Sequence, residues 1–73
     1  MSTGYVVLTA KQSSIFQFIV SYTRINGYPP TVRDIGSEFG IKSPNGVMCH
    51  LKALKSKGVV EWHPNRARTL RIV

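Results

Sequence analysis

Apolar and polar positions alternate on two different periods along this chain. Up to Lys57 the apolar residues recur at steps of three and four, and beyond Gly58 they recur at two, which predicts helices followed by short strands. Thr9 opens the first helix, with Gln12 three residues on to complete a capping box. Ile15, Phe18, Ile19 and Tyr22, flanked by Phe16 and Thr23, then form one broad apolar stripe. Aromatic residues at that spacing read as core, although the same rings could stack on bases. Gly27 ends the helix, and Tyr28-Pro29-Pro30 forces an extended connector because each proline restricts the residue before it. Thr31 and Asp34 repeat the capping box ahead of a second helix, Val32 to Phe39, whose inward positions are Val32, Ile35 and Phe39. Asp34 also suits the positive end of the helix dipole.

The most specific punctuation is Gly40-Ile41-Lys42-Ser43-Pro44-Asn45-Gly46. Gly40 can take the left-handed conformation that ends a helix, Ser43 can cap the next, and Pro44 sits at a first helical position where its missing N–H costs nothing. The third helix is expected from Pro44 to about Lys57, ended by Gly58. On it Val47, Leu51 and Leu54 share one face. Asn45, Cys49, Lys52 and Ser56 point the opposite way, with Gly46 and Ala53 on one flank and Met48 and Lys55 on the other. Val59–Trp62 and Thr69–Val73 read as two strands with Val60, Trp62, Leu70 and Ile72 inward, joined by a loop from His63 to Arg68. The expected fold is mainly α with a small β-hairpin: a winged helix-turn-helix of three helices and a two-stranded wing over residues 9–73, preceded by an arm at 1–8.

Charge turns this fold expectation toward a polyanion. The 73 residues carry a net charge of +7. Lys42, Lys52, Lys55, Lys57, Arg66, Arg68 and Arg71 all lie after position 41, where Glu61 is the only acid. An excess kept merely for solubility would not need to be concentrated there. One cysteine rules out an internal disulfide and a cysteine-paired zinc site. No apolar run approaches the ~20 residues of a membrane span and no signal peptide is recognisable, so a cytoplasmic, nucleoid-associated setting is expected.

A major-groove reader needs short side chains near the bases, an amide for a base edge and lysines for flanking phosphates, and the outward strip of the third helix has that profile. Asn45 can pair bidentately with adenine, or it is only a residue that favours helix starts. Gly46 costs about 1 kcal/mol relative to alanine in a helix, a loss that either close approach to a DNA strand or a frayed first turn accounts for. Ser43, Asn45, Gly46, Met48 and Cys49 are the candidate base readers. Arg33, Lys42, Lys52, Lys55, Arg66 and Arg68 are the candidate backbone contacts, with the two wing arginines in reach of phosphates or a narrow minor groove. For Arg33, and for the wing pair, the bland reading is a solvated arginine.

Several segments together resemble one family. Leu8-Thr9-Ala10-Lys11-Gln12, Gly27-Tyr28-Pro29-Pro30-Thr31, Ser43-Pro44-Asn45 and His50-Leu51-Lys52-Ala53-Leu54 are similar to the N-terminal winged helix of the LexA family of bacterial SOS repressors. Lys57-Gly58-Val59-Val60-Glu61 and Arg68-Thr69-Leu70-Arg71 continue the likeness, which covers about positions 8 to 73 without a gap. The resemblance implies a bacterial or phage transcriptional repressor of the DNA-damage response that binds a palindromic operator as a homodimer. Ser43, Asn45 and Gly46 match the family's contact positions. Met48 and Cys49 also fall on contact positions, where the best-known members carry acids, so a different operator is expected. Family members join this domain to a self-cleaving serine protease that also dimerises. The chain is therefore expected to be the DNA-binding half of a longer repressor or a short natural regulator, monomeric alone and weak on a half-site.

Catalysis, metal and cofactor have no support in the residues. Cys49 and His50 are adjacent on a helix, about 100° apart, and cannot face each other as nucleophile and base. The two histidines, the cysteine and three scattered acids offer no metal spacing. Cys49 as a redox sensor is a remote alternative, tested by comparing Cys49→Ser with the parent after peroxide. The competing function class is a winged-helix protein-interaction module for an acidic partner, which would show a modest salt slope and no base preference.

Overall fold

The caps foreseen in the sequence set the helix boundaries. A computed structural model describes residues 7–63, 66 and 68–73. In it α1 runs Ala10–Asn26, α2 Val32–Phe39 and α3 Pro44–Ser56, followed by β1 Val60–Glu61 and β2 Arg71–Ile72. Thr9 Oγ1 accepts from the Gln12 N–H at 3.2 Å while Gln12 Oε1 accepts from the Thr9 N–H at 3.1 Å. Thr31 and Asp34 repeat the exchange at 3.1 and 2.9 Å. Ser43 Oγ accepts from the Asn45 N–H at 3.2 Å with Pro44 at the first helical position. Gly27 and Gly40 close α1 and α2 in the left-handed region, at φ 79° and 65°.

The core forms where the three apolar stripes and the hairpin meet. Ile15 and Ile19 of α1, Ile35 of α2, Val47, Leu51 and Leu54 of α3, and Val60 and Leu70 from the hairpin are buried together. Full burial contributes about 1.5–3 kcal/mol for each such side chain. Phe18 extends the core laterally, with its ring 5.6 Å from Phe39 edge-on and 5.6 Å from Tyr22. Among the described residues no polar or charged side chain is buried. Among the described residues no helix is long and apolar enough to cross a membrane.

Two sequence expectations shift. The antiparallel ladder pairs only Val60 with Ile72 and Glu61 with Arg71, shorter than the expected 59–62 and 69–73. Beyond Glu61 the Thr69 hydroxyl replaces the ladder: it accepts from the His63 N–H at 2.8 Å and lies 3.2 Å from the carbonyls of His63 and Arg66. Of the expected arm, residues 1–6 lie outside the described residues, and its last two are held to the body. Leu8 packs against the core, and the Val7 carbonyl accepts from Lys57 Nζ at 2.6 Å. Of the expected loop, residues 64, 65 and 67 lie outside the described residues.

Candidate nucleic-acid interface

The turn between α2 and α3 is closed by backbone against backbone. The N–H groups of Gly40 and Ile41 both donate to the Gly36 carbonyl, the latter at 2.9 Å. A Cβ on Gly36 would stand 2.9 Å from the Ile41 carbonyl oxygen and 3.4 Å from Val47 Cγ2. Glycine is therefore what lets α2 approach the turn and α3 this closely. The sequence reading missed Gly36. Its signal was a glycine inside a helix, which costs about 1 kcal/mol against alanine and needs a packing reason.

Gly46 has such a reason too. A Cβ there would meet Ile41 Cγ2 at 2.8 Å, so the residue is held small by the turn's own side chain, a cause not among those weighed from sequence. Its N–H is already committed to the Ser43 carbonyl at 3.0 Å. The other candidates on the leading edge, Ser43 and Asn45, are exposed, as are Cys49 and Lys52 one and two turns along the helix. That face of α3 carries no acid anywhere between Pro44 and Ser56. Met48, on the flank of that strip, is half-buried against the core and lines a groove of about 280 Å³ between α3, the α2 N-terminus and the wing. Pro30, Leu51, Trp62 and Leu70 form its apolar wall, and Arg33, Arg66 and Arg68 stand around it. A second groove joins Arg33 to Lys42 across Gly36 and Pro44. Arg33, Met48, Arg66 and Arg68 thus share one groove, and Arg33 and Lys42 share another beside Pro44 at the start of α3.

Two of the expected backbone contacts already have partners within the chain. Lys55 Nζ lies 4.8 Å above the Trp62 ring and 4.0 Å from Glu61, an exposed pair of small energetic weight. Arg68 turns toward the connector between α1 and α2. Its guanidinium stacks 4.5 Å above the Tyr28 ring, donates to the Pro29 carbonyl at 3.0 Å and lies 3.7 Å from Asp34 Oδ2. The same carboxylate oxygen accepts from the Thr31 N–H at 2.9 Å and from the Tyr22 hydroxyl at 3.2 Å. The Thr31 N–H first, then the hydroxyls of Thr31 and Tyr22 and the Arg68 charge, hold the Asp34 carboxyl below its ordinary value against the opposing effect of burial. Among the described residues no cluster of His, Cys, Asp or Glu could hold a metal ion.

Comparison with known proteins places this arrangement. Residues 6–69 match the family model described as the LexA DNA binding domain. The LexA repressor of Desulfatibacillum aliphaticivorans is 47% identical over 66 residues, which is 90% of this chain and 32% of the relative. That of Pseudomonas chlororaphis is 48% identical over 65 residues, 89% of this chain and 32% of its own length. The LexA repressor of Anaeromyxobacter dehalogenans strain 2CP-1 is 46% identical over 63 residues, 86% of this chain and 28% of its own length. The chain thus spans about a third of the length of the curated relatives it matches. Matched over residues 6–69, which take in the three capped helices, the tight turn and β1, the chain belongs to the LexA DNA binding domain family.

Proposed function

We propose that this chain is the sequence-specific, double-stranded-DNA-binding module of a LexA-like transcriptional repressor acting in the DNA-damage response. The observation that carries the reading is the exposed face of α3. It is free of acid, begins with Ser43 and Asn45, and is presented by a turn locked through Gly36. In this reading α3 enters the major groove, with Asn45 on a base edge and Ser43, Gly46, Met48 and Cys49 lining the same contact. Lys52, Lys42, Arg33, Lys55 and Arg66 meet the flanking phosphates, and the wing lies along the backbone or the adjacent minor groove. Two chains occupy the two halves of a palindromic operator, and dimerisation is weak in the chain by itself. The work takes place in the cytoplasm on the chromosome, and the module contributes no catalysis.

Selection from a random duplex library, followed by titration of the winner and a scrambled duplex at several salt concentrations, tests this. An enriched inverted repeat and a steep loss of affinity with salt are expected. Asn45→Ala is expected to cost about 1–3 kcal/mol on the selected duplex and little on the scrambled one. Equal losses on both would move Asn45 to the backbone contacts. No enriched sequence would overturn the reading, leaving the acidic-protein module.

A further inference from the structure

The wing is poorly equipped to hold its own orientation. Its ladder is two residues long on each strand, and a hairpin that short needs outside support. Val60 and Leu70 anchor its base in the core, and Lys55 reaches it from α3 through Glu61 and Trp62. On the side facing the connector between α1 and α2, the described polar contacts are those of Arg68. At φ 56° Arg68 is the one described non-glycine residue in the left-handed region, a conformation unfavourable for a side-chain-bearing residue unless its surroundings fix it. The surroundings do so: the Tyr28 face, the Pro29 carbonyl and Asp34 receive the guanidinium. Tyr22 packs edge-on to Tyr28 at 6.0 Å and donates to Asp34, so the seat is built from α1, the connector and the α2 cap together.

We propose that Arg68 is a positioning residue: its guanidinium clamps the wing to the connector between α1 and α2 and so sets the angle at which the wing meets DNA, instead of contacting a phosphate. The inference rests on the DNA-binding reading. A guanidinium fits this seat better than an ammonium, because its planar fork can lie over Tyr28 while donating to Pro29 and facing Asp34 from one fixed geometry. Reaching a phosphate would require leaving that seat.

Affinity for the selected duplex, measured against salt for the full chain, separates the two roles. A phosphate contact contributes about 0.9 to the slope of log affinity against log salt. For Arg68→Ala the clamp predicts a several-fold loss at every salt concentration with the slope unchanged. Tyr28→Leu, which leaves every cation in place, is expected to give a loss in the same direction. The double variant is expected to be no weaker than Arg68→Ala, as coupled neighbours are not additive. Arg68→Lys is expected to fail to rescue. A slope shallower by about one unit in Arg68→Ala, full rescue by lysine, or Tyr28→Leu losing stability but no affinity would each overturn the clamp. If the unmodified chain binds no duplex, the DNA reading fails by itself. The clamp is then decided without DNA, by amide chemical shifts of Thr69, Leu70 and Arg71 in Tyr28→Leu: displaced resonances support it and unchanged ones overturn it.

Discussion

The turn between α2 and α3 and the wing are neighbours built on opposite principles. The turn is held by shape: two glycines are fitted against Ile41, one to its carbonyl and one to its methyl, with Gly40 reversing the chain. Beyond its apolar anchors Val60 and Leu70, the wing is held by polar side chains: Thr69 to His63, Lys55 to Glu61 and Trp62, Arg68 to Pro29, Tyr28 and Asp34. Steric fit does not respond to pH or ionic strength, whereas charge-assisted contacts at half-exposed sites do. A proposed recognition helix on a rigid mount therefore sits beside an accessory element that solution conditions can loosen.

The largest effect should come from breaking the fit. Gly36→Ala pushes a methyl onto a backbone carbonyl that cannot rotate away, and overpacking of this kind costs about 1–3 kcal/mol. Thermal melting should show it as a drop of about 4–8 °C per kcal/mol, and an unchanged melting point would mean the turn is not locked by shape. Gly46→Ala should lose less, because its clash is with a side-chain methyl that can shift, whereas the helix-propensity gain of about 1 kcal/mol is common to both substitutions. On the wing side, Thr69→Val removes a hydroxyl that bonds His63, at a cost of about 1 kcal/mol in urea unfolding. Faster exchange of the His63 amide should accompany that loss while amides of the turn stay protected.

Acid should act more gently and on one region only. Because the native Asp34 carboxyl titrates below its ordinary value of 3.8, its contribution is fully present above that value. It is lost as pH falls through the lower native one. Below about pH 4 hydrogen exchange should rise at the α2 cap and the wing before it rises at Gly40 and Ile41. Simultaneous loosening of both would dissolve the contrast. Smallest of all, raising salt should weaken the Lys55 and Glu61 pair by at most about 1 kcal/mol, visible as a shift of the Glu61 amide and none at Gly40.

The same contrast explains what could be read from the sequence. Thr9 with Gln12, Thr31 with Asp34, and Ser43 with Pro44 act over two or three residues, so their geometry is local and their pattern declares it. The acid-free outward strip of α3 was legible for the same reason, since helical period alone fixes which residues share a face. Contacts across the fold left no such trace. Arg68 meets Pro29 from 39 positions away, and nothing near it in the chain distinguishes a clamped arginine from a solvated one. Gly46 is visible in the sequence as an anomaly within a helix, but nothing local points to Ile41 as its cause. Gly36 was concealed by its surroundings, because Val32, Ile35 and Phe39 define a helix well enough to hide a glycine between them.

Trp62 is the only tryptophan of the chain, and it lies in the wing. Its ring has the Lys55 ammonium 4.8 Å away on one side and the apolar groove beside α3 on another. Its emission therefore reports on the polar-held element, whereas far-ultraviolet circular dichroism is dominated by the three helices. Followed in mild acid, the two optical signals should separate, with fluorescence moving first. An apparent failure of two-state behaviour would then be the signature of a wing that lets go while its mount stays folded.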